Sequence, residues 1–141
     1  MKYIFLDIDG VLNAVGDVFL IDNMLEKEKL QRLMKLTLET KAHVVIISSR
    51  RCYKDERDLI LKLMDDIYPH ISFIADRILY KKRSQEIKEY LTIHPCDAFV
   101  ILDDNDYGYS LDTALKPHFI AIDNNVGFTM DDYIKAKGIL R

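Results

Sequence analysis

Lys2-Tyr-Ile-Phe-Leu-Asp-Ile-Asp-Gly10-Val-Leu-Asn13 is an apolar run stopped by two acids and a glycine. Its length and its lack of polar alternation predict a strand over 2–8, buried on both faces. A second run, Phe99-Val-Ile-Leu-Asp-Asp-Asn105, ends the same way almost a hundred residues later. Carboxylates at the ends of buried strands are costly unless positive charge meets them. If the two strands are parallel neighbours, Asp7, Asp9, Asp103 and Asp104 converge at the carboxyl edge of one sheet. Open α/β sheets bind their ligands at that edge.

Working outward, strands alternate with helices. Residues 10–23 read as a loop with a small hairpin or flap, because two glycines and scattered polar residues surround Val18-Phe-Leu-Ile21. A helix is expected over 24–39, with Leu30, Leu33, Met34 and Leu38 on one face. A strand follows over 42–48, a helix over 54–67, and a shorter strand over 71–75. Ser84 is the expected N-cap of the third helix, which Pro95 closes. Strands over 97–103 and 118–122 complete the sheet. Thr129 and Asp132 resemble a capping box that opens a last helix. The expectation is a single α/β domain over 1–141: a Rossmann-like three-layer sandwich with a five-stranded parallel sheet and right-handed crossovers.

Bulk composition narrows the function. The 141 residues are 49% hydrophobic and 30% charged, with a net charge of −3. That balance suits a soluble globular domain and does not indicate a broad basic grip on nucleic acid. Cys52 and Cys96 form no metal or redox spacing, and the four histidines do not cluster. No apolar run approaches the length of a membrane span. Met1-Lys2 leads straight into the first strand, so no signal peptide is expected and a cytoplasmic location is the default.

A divalent cation is the obvious partner for the converging acids, which points to metal-assisted phosphoryl chemistry. Asp7 can attack phosphorus to give an aspartyl-phosphate. Asp9 can protonate the leaving oxygen and then deprotonate a water. Gly10 lets the backbone turn sharply and approach a ligand closely. Mg²⁺ would relieve the repulsion between carboxylate and phosphate, held by Asp7, the backbone carbonyl of Asp9, and one of Asp103 or Asp104. Ser48 ends the second strand at the same edge and offers a hydroxyl. Lys82 or Arg83, in the run Lys81-Lys82-Arg83, would supply the fixed cation beside a helix N-terminus. Arg50 and Arg51 follow Ser48 and could hold a neighbouring phosphate. Asp106 is expected to face solvent, and Tyr107 and Tyr109 to pack or to stack on a base.

This set resembles the haloacid-dehalogenase-like (HAD) phosphohydrolase superfamily. Asp7-Ile-Asp9-Gly-Val-Leu is similar to its first motif and Ser48 to its second. Lys82 or Arg83 is similar to the third, basic motif, and Asp103-Asp104 to the acidic fourth. More narrowly, Ile46-Ile-Ser-Ser-Arg-Arg51, Arg83-Ser-Gln-Glu-Ile-Lys-Glu-Tyr-Leu91, Val100-Ile-Leu-Asp-Asp104 and Phe119-Ile-Ala-Ile-Asp-Asn-Asn-Val-Gly-Phe-Thr129 resemble a small capless HAD domain associated with RNA repair proteins. The resemblance runs over roughly 2–131. It implies Asp7 as nucleophile, Asp9 as acid/base, Mg²⁺ as cofactor, and phosphatase rather than dehalogenase chemistry, because the second acid is present. Two departures stand out. The basic motif is usually lysine, and Arg50 stands where such relatives often carry a tryptophan before an arginine.

Residues 10–23 and 51–80 are too few to build a cap, so the site is expected to be open. An open site suits bulky phosphoesters, with a terminal phosphate on a polynucleotide or nucleotide as the leading expectation. A small-metabolite phosphatase that gains its lid by dimerisation is the alternative, and the chain is expected as a monomer or weak dimer without membrane partners. A catalytically silent module on the same fold is disfavoured by the complete set of acids. A calcium loop is discounted because residues 11–20 lack the spaced acids and closing glutamate.

Overall fold

The computed structural model describes residues 1–67, 71–75 and 82–141. Its strands are β1 (Lys2–Leu6), β2 (His43–Ile46), β3 (Ile71–Phe73), β4 (Ala98–Asp103) and β5 (Phe119–Ala121). Its helices are α1 (Lys27–Thr40), α2 (Lys54–Leu63), α3 (Arg83–Ile93) and α4 (Met130–Ile139). The five strands form one sheet in the order β3-β2-β1-β4-β5, every pair parallel. This is the expected α/β, Rossmann-like layout, with no cap domain among the described residues. β1 lies at the centre, between β2 and β4.

Side-chain alternation divides the core between the sheet's two faces. Ile4 and Leu6 of β1, with Val44, Ile46, Val100 and Leu102, pack on the face covered by α1, α2 and α4. Tyr3, Phe5, Val45, Ile47 and Ile101 pack on the other face, against Ile87 of α3 and the buried Tyr109 and Leu115. Tyr90 of α3 meets Tyr3 and Phe5 edge-on, with ring centroids 5.5 and 5.7 Å away. Burial on both faces explains why these strands read as unbroken apolar runs.

The elements are shorter than their apolar patterns. α1 starts at Lys27 rather than 24 because the Glu26 carboxylate accepts the Glu28 and Lys29 amides and caps it. α2 ends at Leu63, although Met64 and Ile67 beyond it remain in the core. Ser84 is not the N-cap of α3. Lys82 holds that position and Ser84 is buried inside the first turn. Within 10–23 the expected hairpin reduces to one antiparallel bridge, Ile21 to Leu25, while Val15, Val18 and Phe19 stay exposed. His70 and Lys81 lie outside the described residues. No described helix is long and apolar enough to cross a membrane.

The capping box is formed as expected. The Thr129 hydroxyl accepts the Asp132 amide at 3.2 Å, and the Asp132 carboxylate accepts the Thr129 amide at 3.0 Å. Thr129→Ala is expected to cost about 1 kcal/mol and to lower Tm by about 3–5 °C. Thermal melts of the two proteins test this, and coincident curves would show that the cap contributes nothing.

Candidate active site

β1 and β4 pair in register, Leu6 beside Leu102. The ladder continues one step, with the Asp7 amide donating to the Leu102 carbonyl at 2.9 Å. Asp7 and Asp103 therefore stand side by side at the carboxyl edge. By alternation Asp7 follows Tyr3 and Phe5, and Asp103 follows Ile101, toward the α3 face. Asp104 completes the group: one carboxylate oxygen from each of Asp7, Asp103 and Asp104 lies within 4.8 Å of the others. Asp103 is fully buried and Asp7 nearly so.

Arg83, the first residue of α3, is the cation that meets them. Its guanidinium lies 3.0 Å from Asp103 Oδ2 and 3.6 Å from Asp7 Oδ2. The ring of Tyr107 lies 4.2 Å from the same guanidinium. The hydroxyl of buried Tyr109 donates to Asp103 Oδ2 at 2.9 Å. Of the basic run, then, Arg83 enters the cluster, while Lys82 is exposed at the N-cap position.

One guanidinium does not balance three carboxylates. Burial, and then the charge of Asp103, push the Asp7 carboxyl well above the ordinary range, against the pull of Arg83. Burial also raises Asp103. Burial and the adjoining Asp103 raise the Tyr109 hydroxyl, so it remains a donor. Three hard oxygen donors with excess negative charge suit a divalent cation such as Mg²⁺.

Gly10 makes this arrangement possible. Its φ is +81°, and a Cβ there would come within 2.3 Å of Asp104 Oδ2. Its amide donates to Asn13 Oδ1 at 2.9 Å.

Asp9 sits apart from the three acids. Its side chain is 55% exposed, and Arg50 grips it through Nε and Nη2, both at 2.8 Å. Arg50 also reaches Glu56 at 3.2 Å. Hydrogen bonds from Arg50 hold the Asp9 carboxyl below its usual range. Ser48 is buried at the end of β2, and its hydroxyl accepts the Arg50 amide at 3.2 Å.

One expectation is corrected. Arg51 cannot touch substrate, because its side chain is 1% exposed and paired with buried Glu86 at 2.9 Å. Sequence reasoning also missed Tyr109 as a partner of Asp103. Its only signal was an aromatic six residues past Asp103. Asp106 is exposed as expected, and it accepts the Gly108 and Ser110 amides of its own turn.

A family model described as the HAD domain in Swiss Army Knife RNA repair proteins matches residues 3–133. No curated protein and no solved structure gives a significant match to the chain.

The charge imbalance has a measurable sign. A carboxyl whose pKa rises on folding holds its proton more tightly in the folded chain than in the unfolded one. Between its ordinary value of 3.8 and its raised folded value, stability falls as pH rises. At neutral pH and without metal, Asp7→Asn is therefore expected to stabilise the fold by about 1–3 kcal/mol. The difference between the two proteins should shrink as pH falls toward 4. Added Mg²⁺ should raise the wild-type Tm and leave the variant nearly unmoved. Thermal melts across pH, with EDTA or Mg²⁺, test all three; a less stable metal-free Asp7→Asn protein would contradict the imbalance. Gly10→Ala is expected to weaken Mg²⁺ binding at least about tenfold, read by calorimetry, because the new methyl must displace Asp104 or strain a left-handed backbone.

Proposed function

Because the chain belongs to the family of HAD domains in Swiss Army Knife RNA repair proteins, we propose that it is a Mg²⁺-dependent phosphomonoesterase that removes terminal phosphates from nucleic-acid ends. Membership assigns it to the HAD-type phosphohydrolases. The observation that carries the finer reading is the triad Asp7, Asp103 and Asp104 beside Arg83 at the sheet's carboxyl edge.

Asp7 is the nucleophile. Its carboxylate oxygen forms the bond to phosphorus as the ester oxygen leaves, giving an aspartyl-phosphate that water then hydrolyses. Asp103 and Asp104 would hold the cation with Asp7, and the backbone carbonyl of Asp9 remains its expected fourth protein contact. The cation would offset the repulsion between carboxylate and phosphate and polarise the phosphoryl oxygens. Arg83 adds a fixed positive charge on the α3 side. Gly10 leaves room for the phosphoryl group to approach the backbone, and the Ser48 hydroxyl can turn from the Arg50 amide to a phosphoryl oxygen.

Asp9 delivers a proton to the leaving oxygen and withdraws one from the attacking water. Arg50 disfavours the protonated form that the first step needs. A substrate phosphate that takes over the Arg50 guanidinium would free Asp9 at the moment the site is filled. The open site supports a bulky substrate, and the family's description supports a nucleic-acid end. Nothing on the described chain forms a lid, as a small free metabolite would need to exclude water.

Phosphate release from an aryl phosphate tests the chemistry. Turnover is expected with Mg²⁺, and it should fall at least about 10³-fold with EDTA or in Asp7→Asn. Activity that survives both would remove the mechanism. A panel of RNA and DNA ends with 3′- or 5′-phosphate, against nucleotides and sugar phosphates, tests the substrate. Polynucleotide ends are expected to be preferred, and Arg50→Ala to weaken that preference. Equal or faster rates on sugar phosphates would sink the nucleic-acid reading and keep the chemistry.

A further inference from the structure

Among the described residues, Arg51 is the largest side chain that is fully buried. A buried guanidinium is costly, and an apolar pair of similar volume often serves stability equally well or better. Its contacts are specific. Nη1 donates to the Ile47 carbonyl and, at 3.0 Å, to the Ser48 carbonyl. Nη2 donates to both oxygens of Glu86, at 3.1 and 2.9 Å. The Arg51 carbonyl in turn accepts from Arg57 at 2.8 Å. Nε has no partner among the described residues. A side chain that leaves one buried donor unpaired while spanning two elements is poorly explained as optimised packing.

Its two ends touch the two elements that frame the site. The Ile47 and Ser48 carbonyls are where β2 runs out beside β1. Glu86 is in the first turn of α3, three residues after Arg83 and so on the neighbouring part of the same helix surface. Arg83 is the residue that reaches Asp103 and Asp7. A planar guanidinium can meet a carboxylate with one nitrogen and two carbonyls with another; a lysine ammonium cannot hold that fork.

We propose that the Arg51–Glu86 pair is a positioning clamp that fixes the first turn of α3 against the end of β2, so that Arg83 stays over Asp7 and Asp103. Neither clamp residue touches substrate. The catalytic consequence rests on the phosphohydrolase reading above; the placement of Arg83 does not. A small shift of α3 would carry Arg83 away from the acids, and misplacement of about 1 Å at a reacting centre is enough to cost orders of magnitude in rate.

The decisive variant is the apolar double replacement Arg51→Met with Glu86→Leu, which removes the pair without leaving one charge buried alone. Two readouts are taken on the full chain. One is the guanidinium Nε–H signal of Arg83 in arginine-labelled NMR, assigned through Arg83→Lys. The other is the split of kcat and KM on an aryl phosphate with Mg²⁺. The clamp predicts a folded protein in which the Arg83 signal moves or exchanges with solvent, and kcat falls at least about tenfold while KM changes within about threefold. A folded double variant with an unmoved Arg83 signal would overturn it, as would wild-type kcat. If the double variant does not fold, Arg51→Lys and Glu86→Gln are read the same way. If the wild-type protein proves inert on every phosphoester, the phosphohydrolase reading fails, and the NMR signal alone still decides the clamp.

Discussion

Everything at the carboxyl edge depends on one charge imbalance. Three carboxylates gather at the ends of two adjacent strands, and a single guanidinium, Arg83, pairs with the two that are buried. Without a cation the fold carries repulsion that an apolar edge would not have. Proteins tolerate such destabilised clusters where binding is to be selective, because the free energy released on neutralisation is available to the ligand. A monovalent cation would leave the group short of balance, and a soft metal would find no nitrogen or sulfur. The acids beside Arg83 thus suit a hard divalent cation.

Geometry supplies what charge alone could not. The triad exists because β1 and β4 are neighbours in register, although about ninety residues separate them. β2 flanks β1 on its other side and brings Ser48, Arg50 and Arg51 to the same edge. A chain order in which the strand after the first crossover lies on one side of β1, and a later strand on the other, creates a topological switch point at β1. Ligand sites in open sheets form there because the loops leave in opposite directions and open a crevice. Gly10 keeps that crevice clear where a side chain would run into Asp104.

The sheet and the acids were legible in sequence for a common reason. Buried parallel strands show as unbroken apolar runs, and an acid that stops such a run can be placed at the edge without knowing its neighbours. Arg83 was legible only as one of three basic residues, since a charge run carries no phase. The choice is made by the start of α3, which sequence put two residues late by taking Ser84 rather than Lys82 as the cap. Arg50 and Arg51 show the limit most plainly. They are adjacent and chemically identical, yet one lies half-covered on Asp9 and the other is sealed under the edge on Glu86. Which way each points is set by the tight helical turn over Ser49–Cys52, which Ser48 caps by accepting the Arg50 amide; the cap marks the turn but not which arginine it carries inward.

The same turn links the two roles. It carries Arg50 outward to the Asp9 carboxylate and Arg51 inward to α3, so one short segment after β2 addresses both sides of the site. Arg83 in place of lysine fits that scheme. A lysine could meet Asp103 as a point charge, but it could not present a flat cation to the Tyr107 ring while doing so. With the ring on one side, Asp103 at its edge and the helix start behind it, the guanidinium has few orientations left. A cation so confined is held over Asp103 and Asp7. Under the proposed phosphohydrolase reading it would act on phosphoryl oxygens near Asp7, and proton transfer would fall to the more exposed Asp9. On that reading the fixed charge and the proton carrier would lie on different faces of the edge, Arg83 with the buried acids on the α3 side and Asp9 on the solvent side.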